Sequence, residues 1–235
     1  MADPFRNLKL YWHRLLNTQI ITRDGISVHC GETIPRAVRN GLFKYTYEDG
    51  EREMLRRCVR AGDKVLEIGG GIGFVGMAAA KIAGEGNVVS YEANPRQKEV
   101  IEANYALNRP VPELRMKAVT HDGKPVTFHQ SDNVISSSIY QRAETQTAIT
   151  VPSDALADVL AELRPDVVVM DVEGAEIELL ADVDLAEVRA MVVELHPHIV
   201  GEDKIAALMA SLEARGFEVT GDMRKNVLLT RTVAA

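Results

Sequence analysis

The chain predicts an α/β domain built on a seven-stranded, mostly parallel sheet, with helices on both faces and a terminal antiparallel hairpin. Three observations predict it. From residue 62 onward, short apolar runs of strand length alternate with amphipathic stretches of helical period. The run VLEIGGGIG, Val65 to Gly73, ends in a glycine turn and feeds an apolar helical stretch. Finally, FEVTGDMRKNVLLTR holds two strand-like runs joined by GDMRKN, too short for a parallel crossover, so the last strand turns back antiparallel.

The elements follow in order. The first 60 residues differ in texture: an amphipathic helix near 5–17, a hairpin in ITRDGISVHC around Asp24-Gly25, and a helix near 48–60. They are expected to form a cap on the main domain, 61–235. Its strands fall at 64–68, 87–91, 114–119, 166–172, 190–195, 217–220 and 226–231. Helices are expected at 74–83, 96–107, 154–163, about 175–181 and 202–215, the last with Ile205, Leu208, Met209 and Leu212 on one face. Between about 120 and 152 turn residues and β-branched pairs predict an inserted hairpin, placed over the ligand end of the sheet.

Composition narrows the function. At 235 residues with 46% apolar side chains, the chain is long enough for one large buried core. A net charge of -7 argues against a broad nucleic-acid surface. Cys30 and Cys58 lack metal-ligand spacing and are read as reduced thiols. No apolar run approaches the ~20 residues of a membrane span, and the first residues lack the apolar centre of a signal peptide, so a cytoplasmic protein is expected. The pattern leaves the oligomeric state open, a homodimer included.

The glycine turn belongs to a nucleotide-like cofactor, because residues without a Cβ admit a ligand to the backbone and the following helix aims its free N–H groups there. Two cofactors compete. Gly71-Ile72-Gly73-Phe74-Val75-Gly76 satisfies G-x-G-x-x-G, with Glu92 16 residues on, which makes an NAD-dependent oxidoreductase the alternative. Yet Glu67 precedes the turn, and a carboxylate there repels a pyrophosphate. S-adenosylmethionine, with a sulfonium and an ammonium, turns the same carboxylate into an asset. Gly69, Gly71 and Gly73 then admit its amino-acid tail, and Glu92, beside Ala93, accepts from ribose hydroxyls.

The ordered set YEDGERE (47–53), AGDKVLEIGGGIG, SYEANP, N-Y-A-L-N (104–108), the hairpin with SSSIY, and MDVEGAEIELL (170–180) resembles the FkbM-type family of class I methyltransferases over roughly 45 to 200. The resemblance implies a Rossmann-like methyltransferase fold. It also implies an S-adenosylmethionine-dependent enzyme that methylates hydroxyl groups, commonly on sugars or secondary metabolites. Glu67 stands where an aspartate is commoner in that family, and Gly70-Gly71 replaces an alanine-containing turn.

Ligands of open α/β sheets sit beyond the carboxyl ends of the strands, where MDVEGAE places Asp171, Glu173 and Glu176 and ELHPH places Glu194, His196 and His198. Methyl transfer to a hydroxyl needs alignment and a base, and His196 is the candidate, oriented by Asp171 or Glu194. The same residues, Asp171, Glu194 and His196, also allow a Mg²⁺ site that acidifies the hydroxyl. Glu173 is assigned to the cofactor or substrate, while Glu176 is expected to cap or pair at the surface. Tyr47 and Glu48 are placed over the methionine end, and serines 136–138 near the adenine or substrate. A non-catalytic cofactor-binding module is the remaining alternative.

Overall fold

The structure, a computed structural model, describes residues 4–130, 137–138 and 147–231, with side chains described outside 128–148. The chain opens with helix α1 (Arg6–Leu15), the hairpin β1 (Ile20–Arg23) and β2 (Ile26–His29), and helices α2 (Arg36–Lys44) and α3 (Asp49–Cys58). Next come β3 (Val65–Ile68), α4 (Phe74–Ala83), β4 (Val88–Tyr91), a 3₁₀ turn at Pro95–Gln97, α5 (Lys98–Ala106) and β5 (Glu113–Arg115). The middle holds short strands: β6 (Ala118–Thr120), β7 (Val126–Gln130), β8 (Ser137–Ser138), β9 (Thr147–Val151) and β10 (Ser153–Ala155). Then follow α6 (Leu156–Leu163), β11 (Val167–Met170), α7 (Glu176–Leu180), β12 (Ala190–Glu194), α8 (Pro197–Val200) and α9 (Glu202–Ala214). The hairpin β13 (Glu218–Met223) and β14 (Asn226–Thr230) closes the chain.

One seven-stranded sheet organises the molecule, in the order β13-β14-β12-β11-β3-β4-β5. All pairs from β12 to β5 are parallel, while β14 joins β12 antiparallel and β13 joins β14 antiparallel. Strands β3 and β11 are buried at every position, which is why their sequences are unbroken apolar runs apart from Glu67. One face packs Leu66, Val168, Met170 and Met191 against Leu160, Leu208 and Leu212 from α6 and α9. The other packs Val65, Val167 and Val192 against Ala79 and Ala80 of α4 and Met54 and Leu55 of α3. The chain runs outward from β3 to β5 on one side and from β11 to β12 on the other, so the carboxyl ends of β3 and β11 flank the switch in strand order.

Three elements differ from the sequence reading. The expected strand 114–119 is two: β5 ends at Arg115, and β6 pairs parallel with β10 in a separate ribbon. The break falls where Lys117 N–H turns back to the Arg115 carbonyl (2.9 Å) and Lys117 Nζ reaches Asp154 Oδ1 (2.8 Å). Accordingly α6 starts at Leu156 and leaves Asp154 and Ala155 to β10. Helix α2 was not expected, because Gly41 and Asn40 dilute its pattern. Its buried stripe Val38, Leu42 and Phe43 has the helical spacing that gives it away.

The first 60 residues pack on α4 and α5 through Ile21, Ile26, Val28, Leu42 and Phe43, which meet Phe74, Met77, Ile101 and Tyr105. Two asparagines one turn apart on the α5 side seal the edge of β2. Asn104 Oδ1 accepts from His29 N–H (2.8 Å) and its Nδ2 donates to the Ile72 carbonyl (2.9 Å). Asn108 takes Ser27 N–H (2.8 Å) and gives to the Ser27 carbonyl (2.7 Å). Because Asn104 is fully buried, its loss strands a donor and an acceptor away from water. Asn104→Ala is therefore expected to cost about 2–4 kcal/mol in urea unfolding. A loss below about 1 kcal/mol would show that water or neighbours replace these bonds.

Candidate active site

The glycine turn is locked by its neighbours. Gly69, at φ +98°, sits so close to β11 that an added Cβ would lie 2.0 Å from the Asp171 carbonyl oxygen. Its N–H and that of Gly70 both donate to the Tyr91 carbonyl (2.9 and 3.0 Å), tying the turn to the end of β4. Gly73, at φ +82°, caps α4, and a Cβ there would meet the Tyr105 ring at 2.7 Å. Gly71 is different: around its missing Cβ only the Tyr47 hydroxyl comes near, at 3.8 Å, so this stretch of backbone faces open space.

Glu67 and Glu92 stand behind the turn. Glu67, 1% exposed, is turned toward the Ser90 hydroxyl and the Gly76 N–H at the start of α4. A Cβ on Gly76 would fall 2.3 Å from Glu67 Oε2, so the glycine makes room for the acid. Oε1 is buried without a partner among the described residues. Burial pushes the Glu67 carboxyl up to about 8 against the pull of Ser90 and Gly76. Glu92 accepts from Gly71 N–H (2.8 Å) and Asn94 N–H (2.6 Å), and burial lifts it to about 7.

At the ends of β11 and β12 an imidazole is ringed by carboxylates. His196, 2% exposed, points Nε2 at Asp171 Oδ1 (3.5 Å), Glu194 Oε1 (3.6 Å) and Glu173 Oε2 (4.0 Å). Behind the ring stands Glu176, which corrects the expectation of a surface acid: it is fully buried. Glu176 accepts from Gly174 N–H (2.8 Å) and His196 N–H (3.0 Å), and lies 3.4 Å from His196 Nδ1. Burial works against the charged imidazole, but Glu176 and Asp171 outweigh it and raise the His196 pKa. Burial, with Glu194 next to it, pushes Asp171 up to about 8. His198 is exposed.

The wall continues into α3. Glu51, 6% exposed, lies on the helix face that also buries Met54, Leu55 and Cys58, and it meets Glu48 and Glu194. This residue escaped the sequence reading, although its i+3, i+4 and i+7 apolar neighbours mark the face as inward. Burial, and then Glu51, raise the Glu48 pKa well above the carboxylate range. Glu48 and Glu173 both hold left-handed backbone (φ 49° and 51°), an unfavourable conformation for residues with a Cβ. Arg52 fixes this corner by donating to Asp24, Asp49 and the Glu48 carbonyl while lying 4.9 Å over the Phe74 ring.

A single cavity of about 340 Å³ joins these parts. Glu67, Gly69, Gly71, Glu92, Ala93, Tyr47, Asp171 and Glu173 line it, together with Glu48, Glu51 and Lys117 to Asp122 at the base of the inserted strands. His196 and Glu194 stand behind that wall, Gly73 lies under the turn, and the side chains of serines 136–138 fall outside the described residues.

The sheet order, with the glycine turn at the switch in strand order, defines a Rossmann-like α/β fold. The model of the FkbM methyltransferase domain matches residues 67–219, and the chain belongs to this family of S-adenosylmethionine-dependent methyltransferases. The dinucleotide alternative falls with that match. Solved structures of like fold include a putative rRNA methylase from Clostridium thermocellum (TM-score 0.50, 11% identity, 78% of this chain and 94% of that one). Others are a ribosomal protein L11 methylase from Lactobacillus delbrueckii subsp. bulgaricus (0.46, 15%, 79% and 77%) and a precorrin-6y C5,15-methyltransferase from Geobacter metallireducens (0.47, 16%, 77% and 87%). No curated protein matches the chain. No helix among the described residues is long and apolar enough to cross a membrane.

Glu67 gives a test with a defined sign. Its folded pKa lies above the unfolded carboxylate value, so the stability it contributes is present at low pH and lost as pH rises toward about 8. Glu67→Gln removes that loss. In thermal scans without ligand, the Tm difference between variant and wild type is expected to become more favourable to the variant from pH 5 to pH 8, by the equivalent of about 1–3 kcal/mol. A flat difference would mean that Glu67 ionises normally.

Proposed function

We propose that the protein methylates a hydroxyl oxygen of a small molecule, using Asp171, His196 and Glu194 as one unit at the acceptor. The observation that carries this reading is the shared cavity: the open backbone at Gly71 and the carboxylate of Asp171 line the same space of about 340 Å³. That volume suits a cofactor tail and the reacting end of a compact acceptor. The acidic wall favours neutral or cationic molecules. An RNA acceptor, such as the putative rRNA methylase of like fold acts on by its name, would bring phosphates against Glu48, Glu51 and Glu173.

The cofactor requirements fit these residues. Gly69, Gly71 and Gly73 keep the turn free of side chains, the carboxyl groups of Glu67 and Glu92 line the space beside it, and Tyr47 borders the open stretch. When bound, S-adenosylmethionine supplies a methyl group on a sulfonium, displaced in line as the O–C bond forms, the S–C bond breaks and sulfur keeps the electron pair.

The protein's own task is to hold the hydroxyl and take its proton. Asp171 reaches the cavity with 42% of its side chain exposed while Oδ1 stays buried, so its other oxygen faces the acceptor. His196, fixed by Glu176, positions Asp171 from behind, and Glu194 holds the far side of the ring. This moves the hydroxyl's direct partner from His196 to Asp171.

Calorimetry is expected to show binding of S-adenosylmethionine and S-adenosylhomocysteine and none of NAD. With labelled cofactor and a metabolite extract, Asp171→Asn is expected to retain cofactor affinity but lose methyl transfer by about 10²-fold or more, as when a proton-accepting group is removed. Binding of NAD alone, or label found only on RNA, would overturn the reading.

A further inference from the structure

The polar atoms that converge around His196 are spaced in a way that the methyl-transfer reading does not explain. Asp171, Glu194 and His196 each offer a ligand atom, and these atoms lie within 4.8 Å of one another. One of these atoms is an orphan. Asp171 Oδ1 is buried and accepts no hydrogen bond among the described residues. The His196 side chain is 98% hidden from solvent by its 2% exposure, and its Nε2 meets the facing carboxylates at 3.5 to 4.0 Å, beyond ordinary hydrogen-bond length. A buried imidazole aimed at carboxylates without bonding to them leaves a gap at the centre of the group.

We infer that this gap is a site for a hard divalent cation of the Mg²⁺ or Mn²⁺ type, held by Asp171 Oδ1, Glu194 Oε1 and His196 Nε2. The spacings suit such an ion. In an octahedral shell with bonds of about 2.1 Å, neighbouring ligands lie about 3.0 Å apart and opposite ones about 4.2 Å. The observed 3.5 and 3.6 Å fall between these limits. Two carboxylate oxygens and one imidazole nitrogen favour Mg²⁺ or Mn²⁺ over thiophilic metals, and leave positions for water and an acceptor oxygen. Glu51 and Glu48 adjoin Glu194, while Glu176 Oε1 stands behind the ring, 3.4 Å from Nδ1. Lys225, half exposed, also reaches this group among the described residues, with Nζ 3.4 Å from Glu194 Oε1.

The inference rests on the O-methyltransfer reading for its purpose: a cation held here would lower the pKa of an acceptor hydroxyl beside Asp171 and so ease loss of its proton. The site itself is testable without turnover. The chelator-treated, dialysed protein is titrated with Mn²⁺ and free ion is followed by electron paramagnetic resonance, with Mg²⁺ calorimetry alongside. One Mn²⁺ per chain is expected. Glu194→Gln and Asp171→Asn should each weaken binding at least about tenfold, and His198→Ala, on the exposed neighbour, should leave it unchanged. Circular dichroism confirms that the variants fold. No Mn²⁺ binding by the wild-type chain at millimolar concentration, or binding indifferent to both acidic substitutions, would overturn the site. S-adenosylmethionine calorimetry on the same samples separates the two readings. Cofactor binding without Mn²⁺ binding sinks only the cation site, and Mn²⁺ binding without cofactor binding sinks the methyltransferase reading.

Discussion

The contact between Gly69 and the backbone of Asp171 is the constraint on which the rest depends. Strands β3 and β11 lie side by side in parallel register, and the Asp171 N–H continues the ladder by donating to the Ile68 carbonyl (2.9 Å). One residue later the two chains are so close that no side chain fits at Gly69. The cofactor turn and the reactive carboxylate are thus consecutive parts of one hydrogen-bonded unit. Their separation is set by strand spacing rather than by loop conformation, which suits a displacement that depends on alignment.

The carboxylates of the site are held in two different ways. Glu92 and Glu176 are held by backbone N–H donors, Glu92 from Gly71 and Asn94 and Glu176 from Gly174 and His196. Such acids have a structural partner for their charge. Glu48, Glu51, Asp171 and Glu194 instead face one another, and burial raises the pKa of Glu48, Asp171 and Glu194. A protein does not gain stability from acids packed this way. Their arrangement makes sense as a surface complementary to positive charge, which a sulfonium cofactor brings and a bound cation adds.

Much of this was legible in the residues because the relevant signals are local. The central strands are short apolar runs, α4 matched its expected bounds, and GDMRKN was long enough for a hairpin and for nothing else. Asp171, Glu194 and His196 were predicted to meet because neighbouring parallel strands carry them, and they do. What stayed hidden depends on tertiary contact. Glu176 reads as a surface acid from helix position, yet its helix is buried against the turn that carries His196. The division of 114–119 depends on Lys117 finding Asp154, 37 residues away in sequence.

The first 60 residues acquire a chemical role from the same geometry. Tyr47, Glu48 and Glu51 form part of the cavity wall, and they arrive there because α3 packs on β12 and β14. Arg52, 2% exposed, joins α3 to Asp24 in the hairpin turn and to Phe74 at the first position of α4. The hairpin in turn is held to α5 by Asn104, whose other bond goes to Ile72 inside the glycine turn. The acidic wall and the cofactor turn are therefore coupled through buried polar bonds that include the N-terminal segment. Displacing that segment would remove Glu48 and Glu51 from Glu194 and take the His29 N–H away from Asn104, the side chain that holds Ile72, opening the acceptor side and loosening the cofactor side together.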